Sequence, residues 1–221
     1  MGIGGDVVDM LRTLFATHAP DARLDLVPID VVAGERPEAP DQFDAWLCSG
    51  SRHSVYDPYE WIADAAAFVR EVHAAAVPFV GVCFGHQLLA HALGGRVERA
   101  TSGWGAGVAT IAVDAAAPWM DPRAEKLALH FMHRDQVVDL PPGGEVLGHA
   151  DHCPVAVLSV GPAAMGVQAH PEFTPAYTDA LLADRVARIG DDEVAAARAG
   201  LAQPTDEATI VRWMARVLTG D

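Results

Sequence analysis

Apolar positions change their period several times along the chain, and each change marks an element. Val7 to Thr17 repeats at helical spacing and predicts an amphipathic helix, and Leu24 to Val32 predicts a strand. Pro37 to Asp41 is a polar, proline-bearing connection. The apolar run Phe43 to Cys48 stops at Ser49-Gly50-Ser51, the pattern of a buried strand ending in a loop of small residues. Pro58 to His73 places Trp61, Ile62, Ala65, Phe68, Val69 and Val72 on one helical face. Pro78 to Val82 predicts a short buried strand. Gln87 to Leu93 predicts a helix closed by Gly94-Gly95.

From Val97 to Met165 the pattern becomes a series of short runs between Gly and Pro turns: Val108 to Val113, Leu127 to Met132, Glu145 to His149 and Val155 to Val160. These predict strands, partly antiparallel, beside a parallel core. Tyr177 to Ile189 and Thr205 to Leu218 predict closing helices. The succession implies an α/β fold with a doubly wound, mostly parallel sheet and added antiparallel strands. One domain over residues 1–221 is expected, with a core at about 24–189 and a helical tail at 190–221. No repeat, low-complexity tract or linker interrupts it.

Charge narrows the partners. Thirty acidic residues against fifteen basic ones give a net charge of −15, which repels nucleic-acid backbones and anionic lipid. No apolar run reaches the ~18 residues of a membrane span, and the start has no basic patch followed by an apolar stretch. A soluble, cytoplasmic protein is expected, with no membrane partner and no nucleic acid. Three cysteines, Cys48, Cys83 and Cys153, with no close pair, argue against a disulfide framework or a four-cysteine metal site.

The segment Val80-Gly81-Val82-Cys83-Phe84-Gly85-His86-Gln87 carries the most chemistry. An apolar strand runs into Gly-x-Cys-x-Gly and directly into a helix, as in a nucleophile elbow. The helix N-terminus there favours a thiolate, and the Phe84 N–H points where an oxyanion would develop. Cys48 and Cys153 fit the ordinary role of a packed thiol. A thiolate needs a base, and His86 is directed along the new helix. Gly166-Val167-Gln168-Ala169-His170-Pro171-Glu172-Phe173 supplies a better one: His170 ends an apolar strand, and Glu172 can fold back on the imidazole.

Together these segments resemble the class I, triad-type glutamine amidotransferases. Ser49-Gly50-Ser51-Arg52-His53-Ser54-Val55 stands where that family has its oxyanion loop, and the similarity runs from about Asp41 to Phe173. The resemblance implies flavodoxin-like layering and no cofactor. It implies a γ-glutamyl thioester on Cys83, with His170 as base, Glu172 as its orienting carboxylate, and the Ser51 and Phe84 N–H groups as oxyanion hole. Gly50, Gln87, His133 and Asp135 match positions around the substrate. The substrate would be glutamine or a γ-glutamyl compound, and a synthetase partner could receive ammonia. The chain resembles the free-standing group similar to the amidotransferase domain of GMP synthase.

Two departures stand out. Gly50-Ser51-Arg52 replaces the usual Gly-Gly-Pro or Gly-Pro-Gly, and Met1 to Asp6 is a poor match to the family's opening strand. Glutamine amide hydrolysis leads the functional readings. A free-standing γ-glutamyl amide or peptide hydrolase and a non-catalytic regulatory domain follow.

Three other clusters read as structural. His130 and His133 fall on opposite faces of a strand and do not converge on a metal. His149-Ala150-Asp151-His152-Cys153 reads as a polar loop between strands. Gly103-Trp104-Gly105-Ala106-Gly107 lacks the Lys-Ser or Lys-Thr of a phosphate loop and is placed beside the glutamine pocket.

Overall fold

The computed structural model describes residues 7–221, so the expectation about Met1 to Asp6 lies outside the described residues. Helix α1 (Val7–His18) forms as its periodicity predicts, burying Leu11, Leu14 and Phe15. The segment from Leu24 to Val32 corrects the sequence reading: it forms no strand. Leu24 and Leu26 reach the core, but Val27 and Val32 are exposed and the backbone joins no ladder. A strand needs a partner for its N–H and C=O groups. Here a groove of about 1090 Å³ lies between this segment and the sheet edge.

That edge is β1 (Trp46–Cys48), which pairs in parallel with β2 (Phe79–Val82). Helix α2 (Glu60–Ala74) connects them and buries Ile62, Ala66, Val69 and Val72. Helix α3 (Phe84–Ala92) follows β2 after one residue, and Gly94 takes a positive φ of 97° at its end. β3 (Arg96–Arg99) and β6 (Asp135–Asp139) form a separate antiparallel ribbon. β4 (Gly105–Val113), β5 (Lys126–His133), β7 (Gly144–Ala150), β8 (Cys153–Val160) and β9 (Ala164–Val167) complete the main sheet, in the order β1-β2-β9-β8-β7-β4-β5.

The β1, β2 and β9 neighbours are parallel, and every later pairing is antiparallel. Because two antiparallel steps restore direction, β1, β2, β9, β7 and β5 run one way while β8 and β4 run the other. The sheet is therefore parallel where the nucleophile elbow is expected and antiparallel beyond it.

Helices cover both faces. α1 and α6 (Glu207–Thr219) pack on one, with Phe15, Val82, Phe131, Met165 and Trp213 in the same cluster. α2 and α3 cover the other face near β2. α4 (Pro175–Ile189) and α5 (Asp191–Gly200) cover it near β4 and β5. No helix among the described residues is long and apolar enough to cross a membrane.

The core extends past the expected limits of 24–189. α1 belongs to it, and α6 is no peripheral tail, since Ile210, Val211, Trp213 and Met214 are completely buried. The Trp213 indole also donates to the Pro122 carbonyl at 2.9 Å. Removing that ring leaves a large cavity and an unpaired acceptor, so Trp213→Ala should destabilise the protein by about 3–5 kcal/mol. Equilibrium chemical denaturation measures this, and a loss below ~1 kcal/mol would place α6 outside the cooperative core.

Candidate active site

Two close approaches build the elbow. A Cβ on Gly85 would lie 2.1 Å from the Cys48 carbonyl oxygen, and one on Gly81 would lie 2.4 Å from the Gly85 backbone. Only glycine lets the first turn of α3 sit directly against the ends of β1 and β2. Between the two glycines Cys83 is held at φ 50° and ψ −98°, a conformation that costs a non-glycine residue about 1–3 kcal/mol. Its thiol is buried at the N-terminus of α3, and the Phe84 N–H makes no hydrogen bond among the described residues.

His170 arrives from the far side. Its backbone N–H donates to the His130 carbonyl at 2.8 Å, which extends the β5 ladder past the end of β9 and fixes where the ring can go. The ring then does three things. Nδ1 lies 2.7 Å from Glu172 Oε1, the ring feels the nearby Cys83 sulfur, and one face stacks on Phe173 with centroids 3.9 Å apart and planes 8° apart. Burial alone would discharge this imidazole. The nearby Glu172 carboxylate and Cys83 sulfur outweigh it and raise the pKa to about 10. Cys83, His170 and Glu172 thus lie together as one buried cluster in which the imidazole bonds the carboxylate.

Gly50 faces this chain. A Cβ there would lie 2.8 Å from His170 Cε1 and 3.7 Å from the Cys83 Cβ. The Ser51 N–H beside it makes no hydrogen bond among the described residues, so it and the Phe84 N–H are both available donors. Ser51 Oγ accepts from the His53 N–H at 3.2 Å.

The remaining predicted residues form a frame around the loop. Gln87 donates both amide hydrogens inward, to the Asp135 carbonyl at 2.6 Å and Gln168 Oε1 at 3.0 Å, leaving its own oxygen for a ligand. The Asp135 carboxylate accepts from Ser54 Oγ and from Tyr56 at 2.9 Å, so it anchors the loop. His133 turns Nδ1 to the Asp135 carbonyl at 3.0 Å, and its ring lies against Phe131 and His152. Ser54, Tyr56 and Phe173 were missed as site residues. Phe173 stood in the His-Pro-Glu segment, whereas nothing in sequence ties Ser54 or Tyr56 to Asp135 some 80 positions away.

The other clusters behave as structure. His130 faces Thr178, at 3.1 Å from its hydroxyl, opposite to His133. Asp151 and His152 form the turn between β7 and β8. Gly107, at φ 88°, admits the Ala197 backbone of α5, and Trp104 packs on the end of α4. Burial pushes the Cys48 and Cys153 thiols up to about 12, which keeps both protonated and inert at neutral pH.

His86 lies wholly buried behind the elbow, against the Gly166 and Val155 backbones, and burial lowers its pKa from 6.5 to about 4. Burial likewise lowers His133 to about 3. Between pH 6.5 and 4 the unfolded chain takes up these protons while the native state does not, so stability falls with pH through that window. His170 has the opposite sign. Its contribution is complete below about 6.5 and is lost as pH rises through about 10. Thermal denaturation from pH 7 to 4 should show a falling Tm with a shallower slope in His86→Gln, and an unchanged slope would contradict the assignment.

Comparison with known proteins identifies the family and the fold. The model of the class-I glutamine amidotransferase family matches residues 12–188. Gamma-glutamyl peptidase 2 of Arabidopsis thaliana is 32% identical over 149 residues, covering 65% of this chain and 60% of that protein. The glutamine-hydrolysing GMP synthase of Synechocystis sp. is 38% identical over 127 residues, covering 57% of this chain and only 22% of the synthase. The match therefore spans well under two thirds of either relative. A crystal structure of a Thermotoga maritima glutamine amidotransferase superposes with a TM-score of 0.78 at 19% identity, over 96% of this chain and 92% of that one, and shares its mixed α/β fold. With the family model covering most of its length, this chain belongs to the class-I glutamine amidotransferases.

Proposed function

We propose that the protein hydrolyses the side-chain amide of a γ-glutamyl compound through a thioester on Cys83. The buried cluster of Cys83, His170 and Glu172, with Nδ1 of the imidazole bonded to the carboxylate, carries this reading. His170 takes the thiol proton, and the sulfur attacks the γ-carbonyl carbon. The resulting oxyanion is met by the Ser51 and Phe84 N–H groups, each of which otherwise has an empty donor. Collapse of this intermediate breaks the C–N bond, and the departing nitrogen takes the proton from His170. Water, deprotonated by the same imidazole, then attacks the thioester, releases glutamate and restores the thiol.

Glu172 and Phe173 hold the imidazole plane throughout. Nδ1 points at the carboxylate, which leaves Nε2 for the reacting groups. Gly50 leaves space over the thiol for the substrate's γ-carbon, and the free oxygen of Gln87 suits its α-ammonium group.

Glutamine and γ-glutamyl peptides share this chemistry and differ in what leaves, ammonia or an amine. The similarity to the amidotransferase part of GMP synthase supports a second reading, in which ammonia from glutamine passes to a synthetase partner.

Incubation with a glutamine-mimicking electrophile, followed by intact-mass spectrometry, should give one adduct that is absent from Cys83→Ala. Glu172→Gln should retain the adduct site but lower kcat for amide hydrolysis by about 10²–10⁴-fold. An adduct on Cys48 or Cys153, or full activity without Glu172, would overturn the assignment.

A further inference from the structure

The walls beside His170 lead away from the triad along one face of α4. Phe173 stacks on the imidazole, and Tyr177 packs on Phe173 with centroids 4.6 Å apart. Tyr177, Leu181 and Arg185 follow at four-residue spacing and Arg188 three later, so they share a helical face. Tyr177 feels the charges of both Glu172 and Arg185, in keeping with that shared face.

Arg185 is half-buried, and its guanidinium makes no hydrogen bond or ion pair among the described residues. Burial and the neighbouring Arg188 both disfavour its charge, while the Cys83 sulfur lies near enough to favour it. Arg188 is itself fixed, with its guanidinium 5.5 Å from the centre of the Trp104 ring and its carbonyl accepting from the Trp104 indole at 3.1 Å. A chain with twice as many acids as bases has thus set two cations about one helical turn apart on the α4 face that leads from the triad, with no acid bonded to Arg185 among the described residues. Partly desolvated guanidinium groups without a partner are costly, and planar carboxylates satisfy them best.

The two candidate substrate types differ in one relevant way. Ammonia released from glutamine carries no anion. The amine released from a γ-glutamyl peptide carries a carboxylate a few bonds from the scissile nitrogen, on the leaving-group side of His170. We propose that Arg185, with Arg188 beside it, receives the carboxylate of the amino acid or peptide released from a γ-glutamyl peptide, and that this pair selects such peptides as substrates. The inference rests on γ-glutamyl hydrolysis at Cys83 and adds the substrate's leaving half to it.

The test compares kcat/KM of the full chain for γ-glutamyl-alanine and for the same dipeptide with its C-terminal carboxylate amidated. The scissile bond and the glutamyl half are then identical. The wild type should prefer the free acid by about 10–100-fold, mostly in KM, as expected for a charge-assisted contact. The preference should shrink as salt rises. Arg185→Met should bring the ratio close to one, and Arg185→Lys should leave an intermediate value. Matching thermal denaturation curves would establish that the variants are folded. If Arg185→Met does not fold, the wild-type ratio and the lysine variant still decide the matter.

Equal hydrolysis of acid and amide by the wild type, or an undiminished preference in Arg185→Met, overturns the proposal and leaves the Cys83 chemistry intact. Turnover of glutamine with neither dipeptide cleaved also overturns it. No turnover of any γ-glutamyl compound and no adduct at Cys83 would instead remove the hydrolase reading on which it rests.

Discussion

The contact between Gly85 and the Cys48 carbonyl is the constraint from which the rest of the site follows. It brings the first turn of α3 against the end of β1, closer than any side chain would permit. Two consequences come from that one approach. Cys83 is forced into its strained elbow conformation, with the Phe84 N–H left open beside it. The loop leaving β1 also begins within a few ångströms of the elbow, so Gly50 and Ser51 have no room to lie elsewhere. The thiol and the two free N–H groups of Ser51 and Phe84 are positioned by backbone packing, before any side chain chooses a rotamer. Such placement suits a site whose donors must be fixed before charge develops.

The base is held by a different kind of contact. β9 stops at Val167, yet the His170 N–H still bonds the His130 carbonyl of β5, so the chain cannot drift between the end of the strand and Pro171. Phe173 and Glu172 then remove the two remaining freedoms of the ring, its tilt and its rotation. The thiol is therefore set by glycine contacts on the parallel half of the sheet. The imidazole is set by a ladder to the antiparallel half. Both halves must be folded before Cys83 and His170 come together.

Elements whose signal is local were legible in the sequence. The β2-elbow-α3 unit could be read because its apolar run and two glycines are contiguous. His170 and Glu172 could be read because only Pro171 separates them. Failures came where a partner far along the chain decides the outcome. Leu24 to Val32 has the composition of a strand, but a strand exists only if a neighbouring edge accepts its hydrogen bonds, and β1 does not reach it. The β3–β6 ribbon escaped notice because its exposed positions Arg96, Glu98 and Arg99 leave little apolar signal. α6 reads as an ordinary amphipathic helix, and nothing local says that its face lands on β2, β5 and β9.

What stiffens the loop at Ser51 was equally unreadable, and it explains how the family's pattern can change there. Gly-Pro combinations stiffen a loop by restricting its backbone, whereas Gly50-Ser51-Arg52 restricts it much less. Here side chains supply the rigidity. Ser51 Oγ receives the His53 N–H, and the Ser54 N–H donates to Asp57 at 2.9 Å. Ser54 Oγ and Tyr56 bind the Asp135 carboxylate, whose backbone carbonyl is gripped by Gln87 and His133. Hydrogen bonds to a carboxylate are worth about 1.5–3 kcal/mol each, against roughly 0.4–1 kcal/mol for a favourable proline. This network can therefore more than replace the missing backbone stiffness. It also explains why Gln87 and Asp135 are largely committed to other parts of the protein: through them the elbow, the ribbon and the oxyanion loop form one connected frame.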